Sequence, residues 1–256
     1  MTQWFYVYRQ WLLRELQLRF RSSAVGTGWM VLQPMVHILL FTLVFYQFFQ
    51  VRWPQGDGSA TEYGLQVFIG LSLYTFVAEI INRAPASVSN YPYLVTKVRF
   101  PLALLPAVVV GAAGVQMVLS LAIAVFFSAF KGLSLQALWL PAALLPLVGY
   151  GLALGWLLGS AAVYLRDIAH LAPSVSSLLM FLTPIFYPAS MVPKGMRWLV
   201  DLNPLAWTAE CARGLLMRGV GIDWAGWAGH MLTAGLLMCF ALWFFRRIQP
   251  GFSDVL

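Results

Sequence analysis

Charge is what this sequence has least of. Of its 256 residues 10% are Asp, Glu, Lys or Arg, against roughly a quarter in soluble domains, while 61% are hydrophobic and the mean hydropathy is +0.77. A soluble globular domain is excluded. Cysteine is scarcer still: Cys211 and Cys239 have no ligand-spaced neighbours, so neither a disulfide nor a metal is expected. His37, His170 and His230 fall on three different apolar stretches without an H-x-x-x-H spacing, and read as packed or interfacial histidines before metal ligands. No G-x-x-x-x-G-K-[ST] occurs, since Lys97, Lys131 and Lys194 follow Thr, Phe and Pro; the chain has no P-loop for ATP. Acids for general acid–base or metal chemistry are not clustered, so an enzyme is not expected. Nor is a cleavable signal segment, because the first apolar run starts only near Gly28 and is as long as a membrane span.

What the chain does have is long uncharged runs, at 22–51, 102–130, 132–165, 168–193 and 224–245, each above the roughly 20 residues a spanning helix needs. A sixth stretch is apolar but for Glu79. The expectation is an all-α, polytopic membrane protein forming one transmembrane domain, with six spans at 28–49, 63–82, 102–127, 138–164, 169–190 and 226–245. Lys and Arg fix its orientation. With the N-terminus inside, one face holds ten basic and three acidic residues (+7) and the other six and five (+1). Both termini are therefore expected in the cytoplasm, and the positive face suits anionic lipid headgroups rather than nucleic acid.

Residues 2–21 set Trp4, Phe5, Tyr8, Trp11, Leu12 and Leu16 against Arg9, Arg14 and Arg21, the pattern of an interfacial amphipathic helix. After it comes R-F-R-S-S-A-V-G-T-G-W, where two arginines stand beside a Ser and Gly turn that suits a phosphate. Glu79 and Arg83 stand at i,i+4 in the order that favours an ion pair, although an acid at that depth also invites a gating or transport role. Segment 82–106 is broken by Pro85, Pro92, Pro101 and Pro106 and carries Lys97 and Arg99, so it stays outside lipid and is long enough to receive a partner. Gly151, Gly155 and Gly159 make a small-residue face, open to a helix of the same subunit or of a second copy. Between the fourth and fifth spans lies only the turn L-R-D-I. Residues 192–221 hold two helical patterns too short to span, broken at Asn203-Pro204; they read as a re-entrant hairpin on the extracytoplasmic side, either a lid or the lining of a vestibule. Rings inside the spans, Phe41, Phe45, Tyr46, Tyr74, Phe76, Phe186 and Tyr187, offer flat faces to sugars.

Several motifs, each weak alone, occur here in a specific order: R-F-R-S-S-A-V-G-T-G-W with L-Q-P, N-Y-P-Y-L-V-T-K-V-R-F-P with L-P, Y-L-R-D-I, T-P-I-F-Y-P, N-P-L-A-W-x-x-E-x-x-R and the terminal F-S-D-V-L. Over nearly its whole length the chain resembles the membrane subunits of ABC transporters that export lipid-linked polysaccharides such as O-antigen, capsule and teichoic acid. K-V-R-F-P leans toward the O-antigen and teichoic acid branch. The resemblance implies a homodimer of six-span subunits, each bound to a separate P-loop ATP-binding subunit, with no cofactor in this chain and ATP and magnesium on the partner. It implies a substrate carried on polyprenyl pyrophosphate, met at Arg19, Arg21 and Ser23 and guided by the in-span aromatics. The partner would couple through Asn90, Tyr93, Leu94, Lys97 and Arg99, with Arg166 and Asp167 beside them. Asn203, Pro204, Trp207, Glu210 and Arg213 would gate the outer exit. Drug- or lipid-exporting permeases of the same type are the nearby alternative, and a channel or secondary transporter working without an ATPase the distant one.

Overall fold

The computed structural model describes residues 2–20, 26–48, 53, 58–98, 100–130 and 132–256. Every regular element among them is helical: α1 (Thr2–Phe20), α2 (Trp29–Phe41) continuing into a π-helical stretch (Thr42–Phe48), α3 (Ala60–Arg83), α4 (Ala86–Ser89), α5 (Pro92–Thr96), α6 (Leu104–Ala129), α7 (Leu140–Tyr164), α8 (Asp167–Leu182), α9 (Trp198–Asp201), α10 (Pro204–Arg213), α11 (Trp224–Ile248) and α12 (Phe252–Val255). Four helices, covering Ala60–Arg83, Leu104–Ala129, Leu135–Tyr164 and Trp224–Val255, are long and apolar enough to cross a membrane. These match four of the six expected spans. The other two are shorter: an apolar helix over Leu32–Val44 and α8.

Local signals explain the boundaries. Ser59 caps α3 by accepting the Glu62 N–H at 3.2 Å, which starts the helix a turn ahead of the expected position 63. Asp223 does the same for α11 through the Ala225 N–H, and Arg246 and Arg247 close its last turn. The expected span 169–190 is shorter in the structure, because Thr183 precedes Pro184 and is driven to an extended conformation (φ −95°, ψ 137°). With 16 residues α8 rises about 24 Å, short of the ~30 Å hydrocarbon core.

α3 is the hub. It is buried nearly all round against α6, α7, α8 and α10, whereas α11 buries only Ala234, Ala241 and Phe245 along one stripe and shows Leu232, Leu236, Phe240 and Trp243 outward. The main core runs between α3, α6, α7 and α10. A second cluster gathers Val88, Leu94, Leu102, Leu105, Val163, Phe245 and Phe252, with Trp11 and Leu256 packed on it. The segment between α3 and α6, the end of α7 and both chain ends therefore share one end of the bundle. That is the grouping the charge count requires of Arg83, Lys97, Arg166, Arg246 and Arg247.

The glycine face of α7 is used within the subunit, which resolves the alternative left by sequence. A Cβ at Gly151 would stand 2.8 Å from the Phe76 ring, one at Gly155 2.9 Å from Val110, and one at Gly159 3.2 Å from the Ala84 carbonyl oxygen. Backbone cannot yield as a side-chain tip can. Gly159→Val is therefore expected to cost about 1–3 kcal/mol by overpacking, seen as a lower detergent melting temperature; an unchanged melt would place α7 elsewhere.

Candidate functional site

A cleft of about 820 Å³ opens between α2, α3, α6 and α8. From α2 it takes Trp29, Gln33, His37 and Phe41, a stripe recurring every four residues and so lying on one helix face. α3 supplies the facing wall from Phe68 to Arg83, about 22 Å of rise. Gln116, Met117 and Ser120 come from α6 and Met180 from α8. Between Tyr63 and Ile81 of α3, Thr75 is the one exposed residue, which marks the helix face turned to the cleft.

The end of the cleft nearest the chain termini is charged. Arg83 donates to Glu79 at 3.0 Å, the i,i+4 pair read from spacing, and also to Glu15 of α1. Sequence reasoning missed Glu15, although it is the single acid of an arginine-bearing helix; the contact spans 68 residues. α1 is seated by two further contacts. Trp11 meets Tyr91 edge-on at 5.2 Å and Phe100 at 5.4 Å, and Tyr8 with Leu12 lies over Gly111 of α6, where there is no side chain to block them. Burial pushes the Tyr8 phenol above its ordinary range, keeping it protonated.

The expected glycan-facing aromatics divide. Phe41, Tyr74 and Phe76 line the cleft, with the Tyr74 hydroxyl donating to the Ser176 carbonyl at 3.0 Å. Phe76 is 1% exposed, with its ring packed against Gly151. Phe186, Tyr46 and Tyr187 belong to an aromatic cluster at the opposite end with Tyr63 and Trp53, on which Phe41 and Tyr74 also pack. Phe186 is buried against Phe41 with centroids 4.5 Å apart, Tyr46 donates to the Gly58 carbonyl and Tyr187 to the Phe181 carbonyl. The side chains of Arg19 and Phe45, and Arg21, Ser23 and Arg99 entirely, lie outside the described residues.

At that opposite end lie the residues expected to form an outer gate, and they tie α10 to the break after α8. Asn203 caps α10 by accepting the Leu205 N–H at 3.0 Å, and its amide donates to Thr183 Oγ1 at 2.9 Å. Arg213, 1% exposed, donates to the carbonyls of Gln66 (3.0 Å), Pro184 (2.9 Å) and Ile185 (3.0 Å) and to Glu210 (2.8 Å), with its guanidinium 4.9 Å from the centre of the Trp53 ring. The carbonyls left without helical partners where α8 breaks are thus satisfied from α10. Glu210 also meets Arg218 at 3.3 Å, and the Trp207 ring lies tilted against His230 of α11 with centroids 4.7 Å apart. α10 packs in the main core on α3 and α7, with Leu205, Ala209 and Ala212 buried.

The residues expected to meet a motor present a definite face. Asn90, Tyr93 and Lys97 are exposed, as are Arg166 and Asp167 just past the buried Val163. Leu94 points the other way: it is 5% exposed and anchors α5 in the cluster with Phe252. The C-terminal turn is fixed by Tyr164, whose hydroxyl donates to the Ile248 carbonyl at 2.9 Å.

Long apolar helices around a largely apolar cleft that carries a few amides and hydroxyls, with exposed short helices at the end bearing both termini, fit a membrane-embedded protein. The chain belongs to the ABC-2 type transporter family, whose family model matches residues 6–217. Members are the membrane subunits of transporters, and membership implies a separate ATP-binding partner. The chain is 28% identical over 208 residues, 78% of its own length and 77% of the relative's, to an O-antigen export system permease protein RfbA of Myxococcus xanthus. It is 22% identical over 246 residues, 95% of its length and 92% of the relative's, to a protein of the same name from Klebsiella pneumoniae.

Proposed function

We propose that this chain is the permease subunit of an ABC transporter that exports O-antigen, as polysaccharide carried on polyprenyl pyrophosphate, across the cytoplasmic membrane. ATP is hydrolysed on the separate subunit, and two copies of the permease assemble about an axis along the pore. Both termini and the exposed face of α4–α5 lie in the cytoplasm. The observation that carries the substrate is likeness over 95% of the chain to relatives named for O-antigen export. The cleft supports it: rings follow one another along α2 and α3 with side-chain oxygens of Thr75 and Asn82, whose donors are spent within the protein and which are left as acceptors.

In this reading Tyr93 and Lys97 meet the ATP-binding subunit, with Leu94 holding α5 rigid beneath them. Arg19, Arg21 and Ser23, at the junction of α1 and α2, meet the pyrophosphate. Replacing both arginines by Ala is expected to slow export about tenfold or more, given charge-assisted bonds of ~1.5–3 kcal/mol each, with the ATPase still co-purifying; undiminished export removes the pair from recognition.

Loss of the gene tests the function itself. Polymer is expected to accumulate on the inner leaflet, unreachable by antibody in intact spheroplasts and reached after permeabilisation. Surface polymer at the normal level would overturn the proposal.

A further inference from the structure

The short helices at the end bearing both termini are held by one another. Val88 of α4 and Leu94 of α5 are buried in one cluster with Val163 of α7, Phe245 of α11 and Phe252 of α12. Phe252 is fully buried, its ring edge-on to Phe245 at 5.6 Å and tilted against Tyr164 at 5.9 Å. Gly251, just before it, leaves room for the Tyr164 hydroxyl that fixes the turn through the Ile248 carbonyl. Tyr91, Val95 and Leu256 pack on the same cluster, and α12 lies against α5.

The two helices divide their side chains alike. α5 and the residue after it bury Leu94 and expose Tyr93 and Lys97; α12 buries Phe252 and exposes Ser253, Asp254 and Val255. Asp254 accepts from the Ser253 hydroxyl at 3.4 Å and has no ion pair among the described residues. A stably docked subunit buries about 800 Å² on each partner, more than the exposed side chains of a five-residue helix can supply. A partner seated on α5 therefore spreads onto what stands beside it, and α12 is held there by its own buried side.

We propose that α12 is part of the surface that receives the ATP-binding subunit: Phe252 fixes it beside α5, and Asp254 meets a basic side chain of that subunit in a charge-assisted hydrogen bond. This rests on the reading that α5 docks the motor, and it extends that footprint to the C-terminal turn.

The test uses the permease in complex with the ATP-binding subunit that co-purifies with it. In a background of Cys211→Ser and Cys239→Ser, a benzophenone is attached to a single cysteine introduced by Val255→Cys, by Asn90→Cys or, at the opposite end, by Leu202→Cys. Photocrosslinks to the ATP-binding subunit are expected from positions 255 and 90 and not from 202. Asp254→Arg, which leaves Phe252 and its cluster in place, is expected to raise threefold or more the concentration of ATP-binding subunit needed for half-maximal export, with the melting temperature of the permease unchanged. A crosslink from 90 but none from 255, or an unchanged requirement in Asp254→Arg, would overturn the part given to α12 and leave α5 as the docking site. Crosslinks from neither position would overturn the docking reading, and this inference with it.

Discussion

Arg213→Ala is expected to lose about 3–5 kcal/mol of stability, the cost of leaving buried partners of a charged group unpaired. The guanidinium is the one group that reaches the Gln66, Pro184 and Ile185 carbonyls and Glu210 together, and it does so from a fully buried position. Removing it strands those acceptors where water cannot replace it. It also opens a void beside Gly70, where a side chain would collide with the guanidinium, so that the α3 backbone and Arg213 fit each other. Against a total of about 5–15 kcal/mol this loss is large. At about 2–4 °C per kcal/mol for a chain of this size, the melting temperature in detergent should fall on the order of 10 °C. Arg213→Lys should recover only part, because an ammonium has three donors and no planar fork. A melt within 2 °C of the unaltered protein for Arg213→Ala would remove Arg213 as the fastening of α10 to the α8 break.

Tyr93→Ala combined with Lys97→Glu is expected to reduce export more than a hundredfold while the permease still folds and reaches the membrane. Both side chains are exposed on α5 and the turn after it. Their loss leaves the inward contacts of Leu94 and Val88 untouched, so the subunit itself should melt normally. Tyrosine is among the residue types that dominate docking surfaces, at ~2–4 kcal/mol when buried by a partner. Charge reversal adds repulsion to lost contact. Polymer export in cells, read beside co-purification of the ATP-binding subunit, checks this. Normal export by the double variant would place the docking surface elsewhere.

Much of this arrangement is legible in the sequence, for reasons that also show where reading stops. The spans that become α6, α7 and α11 are uncharged apolar runs and that of α3 is apolar but for Glu79, Ser59 and Asp223 cap the starts of α3 and α11, and Asn203-Pro204 announces the start of α10 as a cap followed by proline. The segment 183–188 is apolar enough to extend a span by composition, yet Thr183-Pro184 ends α8 there. Composition records transfer energy, and the steric rule of the residue before proline overrides it. The Glu79–Arg83 pair follows from helical spacing alone; Glu15 does not, because no local pattern links α1 to the end of α3. Gln116 was findable as a polar residue in an apolar span. Likewise the spacing of Gly151, Gly155 and Gly159 declares a close contact without naming the partner, which the structure shows to be α3, α4 and α6. Rings are the hardest to assign. Phe41 and Phe186 look alike in sequence, and only packing puts the first on the cleft and the second behind it.

The central claim is that this chain supplies the path and a separate subunit supplies the energy. Its most direct test is transport of polyprenyl-pyrophosphate-linked glycan into proteoliposomes holding either the permease alone or the permease with the ATP-binding subunit that co-purifies with it. Translocation is predicted only with both subunits and ATP, and is predicted to stop with a non-hydrolysable analogue. Translocation by the permease alone, without ATP, would contradict the account and return the chain to the class of channels and secondary transporters.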